Sequence, residues 1–178
     1  MLPGSMSSRQ VVYGVVVGVH ALSSVLGFGA IGVSGVSAGA LRPPLGPSQL
    51  AEARRYFRRR SVPGRTLWLV PVAGYAALAL GSSDRSPGQP WVLIGAATWL
   101  LAIVLAAQVI WPAEARISTL LEALVEAGGG GDAAPGGSPD VVWRDIGASR
   151  QRLVRASAVC DVSFVVASVS MLFRFGHG

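Results

Sequence analysis

Val11–Val36 reads VVYGVVVGVHALSSVLGFGAIGVSGV. No Asp, Glu, Lys or Arg interrupts it, and it is longer than the ~18 apolar residues that mark a bilayer-crossing candidate. Three more apolar runs follow: TLWLVPVAGYAALALG at Thr66–Gly81, WVLIGAATWLLAIVLAAQVIW at Trp91–Trp111, and ASAVCDVSFVVASVSMLF at Ala156–Phe173. Trp91 and Trp111 bracket the third run as interfacial anchors do. Pro71 predicts a bend in the second, with a neighbouring helix satisfying the carbonyl that the proline leaves open. The chain reads as an all-α membrane protein: a bundle of four transmembrane helices with amphipathic cytoplasmic segments.

The segments between these runs carry the charge. Of 178 residues only 13% are charged, against roughly 25% in soluble domains. All fifteen cations are Arg and the net charge is +6. A basic chain can signal nucleic acid, but these Arg residues flank the apolar runs as topology signals do, so no nucleic-acid partner is expected. Twelve of the fifteen lie in the loops after the first and third runs. The positive-inside rule makes both loops cytoplasmic and puts both termini outside. All-Arg usage with abundant Ala, Gly and Val points to a high-GC bacterial genome, and so to a bacterial cytoplasmic (inner) membrane.

Residues 1–10 form an outward tail, whose first five resemble a cloning scar before Met6. Within 11–175, Ser48 is a candidate cap for a short helix opening at Gln49. After Pro112, Ile117, Leu120, Leu121, Leu124 and Val125 share one face of an amphipathic helix, which leaves the membrane or lies against it. Residues 128–140 read as a flexible cytoplasmic linker. Helical character then resumes through Arg144, Arg150, Arg152 and Arg155 to the last run.

Gly27, Gly29 and Gly32 match G-x-G-x-x-G, but a dinucleotide site needs that pattern between a strand and a helix. Inside an apolar run, Gly14, Gly18, Gly27 and Gly32, with Gly35 and Gly39, instead suggest small faces for helix packing, or a groove for a lipid tail or other ligand. His20 lies ~13 Å from the outer end of its run and Tyr75 ~16 Å from the inner end of its own, so the two are a candidate mid-membrane polar pair. The alternative role for His20 is as a haem or copper ligand in a redox subunit. Bis-His haem needs a second membrane His, and copper favours Met or Cys partners, whereas Met171 and Cys160 lie at other depths.

Asp161 lies ~9 Å inside the last run. A membrane carboxylate is a functional candidate by default. Ser23, Ser24 and Gln108 come to similar depth, so Asp161, Ser23, Ser24 and Gln108 form a candidate ion or proton site. A structural role, or pairing with Arg155 or a loop Arg, is the other reading. Arg54, Arg55, Arg58, Arg59 and Arg60 are candidates for contact with lipid headgroups or a partner, although topology also accounts for their charge. No catalytic set or metal-spacing motif is present, and one cysteine excludes an internal disulfide. No cofactor and no metal are expected.

The chain also resembles a known family. The residues that carry this are VHALSSVLGFGAIG in the first run, the basic loop leading into VPGRTLWLVPVAGYAALALG, WLLAIVLAAQVIWPAEARI, and the closing VASVSMLFRFG. In these it resembles the bacterial four-helix predicted integral membrane proteins of unknown function, which are distantly similar to copper-resistance D type membrane domains. The resemblance implies a four-helix bundle with a cytoplasmic amphipathic segment and no established activity. The expected function is that of a non-enzymatic accessory or assembly subunit, acting through helix association with copies of itself or with another membrane protein in the lipid bilayer. The alternatives are a small transporter using Asp161, or a redox subunit using His20.

Overall fold

The computed structural model describes residues 7–43, 45–58, 63–81, 87–128 and 139–175. The expected scar at 1–5, most of the expected linker, and Arg59 and Arg60 lie outside the described residues. All regular structure among the described residues is helical.

Helix α1 spans Ser8–Gly39. It opens on a reciprocal cap: Gln10 N–H reaches Ser7 Oγ at 3.4 Å, and Ser7 N–H reaches Gln10 Oε1 at 3.1 Å, which satisfies two of the exposed amides of the first turn. Helix α2 spans Pro47–Arg58 and opens earlier than the Ser48 cap predicts. Proline suits the first helical position, where no amide partner exists, and Gln49 Oε1 accepts from Gly46 N–H at 3.1 Å.

The second apolar run is irregular. A 3-10 segment, Pro63–Trp68, leads into α3, Leu69–Leu80. Pro71 has no N–H for the Leu67 carbonyl four residues back. The Trp99 indole takes its place, donating to Leu67 O at 2.8 Å.

Helices α4 (Pro90–Leu105) and α5 (Trp111–Gly128) are joined by one π turn, Ala106–Ile110, in which Trp111 N–H bonds Ala106 O. Pro112 accounts for that turn. Its ring would collide with the Gln108 carbonyl in a regular α-helix, and a widened turn relieves the clash. The third run and the amphipathic segment are thus one rod. The same holds for α6, Pro139–Phe175, whose 37 residues make a rod ~55 Å long.

Three helical stretches are long and apolar enough to cross a membrane: Ser8–Gly39, Pro90–Glu126 and Asp140–Leu172. A shorter apolar stretch covers Gly64–Leu80. Helix α1 packs against α6 and α3, α6 also against α4 and α5, and α2 against α5. The amphipathic face of α5 is covered by α2 and the first half of α6. Ile117, Leu121, Ile146 and Leu153 are fully buried there, close to Phe57 of α2. The other half of the bundle carries its aliphatic side chains outward: Val15, Leu22, Val36, Val72, Val162 and Leu172 are all exposed.

Candidate functional site

Polar side chains gather at three levels of the bundle. The one nearest the N-terminal end of α1 is the contact of α1 with α3. His20 Nδ1–H donates to the Val70 carbonyl at 2.8 Å, so in the neutral ring Nε2 is the unprotonated nitrogen. Gly74 makes room for the ring, since a Cβ there would stand 3.0 Å from His20 Cε1. Tyr75, one residue on, is 57% exposed, and the backbone of α3 provides the partner expected of its hydroxyl. Depth arithmetic brings α1 and α3 together at this height but does not give the rotation of either helix. Among the described residues no three His, Cys, Asp or Glu side chains gather as a metal site.

The second level is the contact of α1 with α6. Asp161 is exposed and sits beside Gly32, where a Cβ would stand 3.1 Å from Oδ1 and 3.3 Å from Oδ2. The Ser23 and Ser24 hydroxyls, expected near Asp161, donate instead to His20 O of their own helix at 3.0 and 2.8 Å. Such back-bonding is the usual local outlet for a helical serine. Gln108 lies exposed in the π turn. Arg155 does not pair with Asp161, for the ion pair among the described residues is Arg116–Asp145 at 2.7 Å, exposed on the α5–α6 surface.

The packing glycines divide. A Cβ at Gly27 would stand 2.9 Å from the Leu67 side chain, and Gly32 faces Asp161. Gly14 and Gly18 meet nothing within 4 Å, and neither does Gly29. The tightest of these glycine contacts with α6 is at Gly35, also expected on a packing face: a Cβ there would be 2.6 Å from Ser157 Cβ. About two turns further along the same α1–α6 contact, Phe28 and Phe164 stack with centroids 4.6 Å apart.

The third level, toward the C-terminal end of α1, was not among the expected sites. Ser34 of α1 donates to Glu114 Oε1 at 2.5 Å, and the Tyr56 hydroxyl of α2 lies 3.1 Å from Ser34 Oγ. With Ser34 donating to the carboxyl, Tyr56 donates to Ser34, and the chain Tyr56–Ser34–Glu114 ties α2, α1 and α5 together. Glu114 is 8% and Ser34 1% exposed. A signal existed: Glu114 is three residues before Ile117 and seven before Leu121, so it falls on the apolar face of α5. Replacing Ser34 by Ala is expected to lower stability by about 1–3 kcal/mol, because the buried carboxyl loses its donor. Tyr56→Phe, which removes the more distant donor, should cost only about 0.5–1.5 kcal/mol. Thermal unfolding of the purified variants checks both the sizes and their order.

The basic segment is less uniform than its sequence. Arg55 and Arg58 are exposed on α2, whereas Arg54 is half-buried with its Nε enclosed and lacking an acceptor among the described residues. Comparison with protein-family models, with curated proteins and with solved structures finds no match to this chain.

Proposed function

We propose that this chain is a non-enzymatic integral membrane protein of the bacterial cytoplasmic membrane, an accessory or assembly subunit that works by helix association. The observation that carries this reading is one open face of α1. Gly14, Gly18, Val25, Gly29 and Val36 are separated by four, seven, four and seven residues, which puts them on one side of a helix. All five are exposed, and the three glycines meet nothing within 4 Å. Only 17% of the most apolar window of α1 is buried against the rest of the chain. Without a strong hydrophobic drive between helices in lipid, close backbone approach over small residues is what favours association.

Four spans are part of the proposal, with both termini outside, in keeping with the resemblance to the four-helix membrane family. The fourth span is Gly64–Leu80. Its 3-10 start supports this: six residues at ~2.0 Å and twelve at ~1.5 Å reach ~30 Å, the thickness of the hydrocarbon core. The inner bundle of α2, α5 and the first half of α6 then stands in the cytoplasm, with Arg55 and Arg58 toward lipid headgroups or a partner.

A cysteine in place of Val25 tests the reading in native membranes. Cys160 is fully buried and does not compete for reagent. A photoreactive crosslinker anchored on this thiol, which captures a neighbour of any sequence, is expected to give a discrete adduct of higher mass, lost in a Gly14→Leu/Gly18→Leu background. No adduct from Val25→Cys would contradict association through this face.

A further inference from the structure

The open face of α1 ends at a carboxylate. Gly29 is followed three residues later by Gly32, and Gly32 is the residue beside which Asp161 of α6 sits. Asp161 is exposed, and among the described residues no Arg nitrogen lies within ion-pair distance of it. Its surroundings on α6 are Val162, Val165 and Val166, all exposed. It lies six residues from Arg155 and thirteen from Arg174, so ~9 Å and ~20 Å of helix separate it from the two nearest charges on its own rod. An ionised carboxylate at that depth is costly unless a complementary group covers it.

We infer that the groove between α1 and α6 is a docking site for a transmembrane helix of another protein bearing a Lys or Arg, whose cation pairs with Asp161. This rests on the association reading above and gives it a partner chemistry. The small residues of α1 let a helix lie close along the groove, and the glycine at 32 leaves the carboxylate room at its inner end. A second copy of this chain is a poorer occupant, because none of its four apolar runs contains a Lys or Arg. Charge complementarity therefore selects a different protein. Such a pair also sets depth and register, since a cation one turn away would be buried without its partner.

The test uses the full chain reconstituted in phosphatidylcholine vesicles with labelled poly-leucine helices, and energy transfer as the readout. One helix carries a single Lys six residues from its end, and a second carries Leu at that position. The expected result is that the Lys helix associates about tenfold or more tightly than the Leu helix, and that Asp161→Asn removes the difference. Asp161 is exposed, so this variant leaves the packing of the bundle alone, and an unchanged thermal unfolding midpoint confirms it. Equal association of the two helices, or a Lys preference that survives in Asp161→Asn, overturns the inference. So does Asp161-dependent energy transfer between copies of this chain without any peptide, which would make a second copy the occupant. If the Lys preference is absent while the Val25→Cys adduct persists, this inference fails and the association reading stands.

Discussion

Gly35→Ala is expected to destabilise the protein by about 1–3 kcal/mol although it adds a single methyl group. The new Cβ would lie 2.6 Å from Ser157 Cβ and 2.9 Å from its Oγ. Cβ is fixed to the backbone, so no rotamer change removes the clash, and α1 and α6 must move apart. Phe28 and Phe164 stack on the same contact and would loosen with it. Ser157→Gly in the same chain should restore most of the loss, because it removes the atom being struck. Ser157→Ala should not rescue, since it keeps Cβ. It is itself expected to be near neutral, because the Ser157 hydroxyl is buried without a partner among the described residues. Unfolding midpoints of the two single variants and the double variant complete the cycle. Additive losses in Gly35→Ala/Ser157→Gly would mean that this contact does not set the helix separation.

Trp99→Phe is the second large effect, again about 1–3 kcal/mol. Phenylalanine keeps an aromatic ring for the edge contact with Trp68, whose centroid is 6.3 Å away, but it has no N–H. The Leu67 carbonyl then loses the 2.8 Å bond that substitutes for the amide missing at Pro71. The dependence on Pro71 is the discriminating part. In a Pro71→Ala background the helix supplies its own N–H, and Trp99→Phe should cost clearly less. Equal costs in both backgrounds would show that the indole acts through its bulk and not through the carbonyl.

Helical architecture and the positions of the apolar stretches were legible because they follow from local composition and period. The Pro71 carbonyl was legible as a need, since the missing amide is written in the chain. Its donor was not, because Trp99 comes from another helix and only packing brings the two together. Position along each run was easier to read than rotation about its axis. His20 and α3 meet at the expected height, yet the ring turns to the Val70 carbonyl over Gly74 instead of to Tyr75. Asp161 lies near α1 as required, but Ser23 and Ser24 bond within their own helix. Glu114 was passed over because a charged residue in an amphipathic segment reads as solvated. Its register with Ile117 and Leu121 was the evidence that it faces inward. The glycines carried the same ambiguity: spacing groups them on faces, while neighbours decide that Gly27, Gly32 and Gly35 pack inside the chain and that Gly14, Gly18 and Gly29 remain open.

Under the proposed function, this chain works as part of a larger membrane assembly. Sizing the particle extracted from native membranes in a gentle detergent, with its polypeptides counted, tests that most directly. More than one polypeptide in a fixed ratio is expected, reduced to a single chain by Gly14→Leu/Gly18→Leu. A single chain from unmodified membranes, monodisperse and without companions, would contradict it.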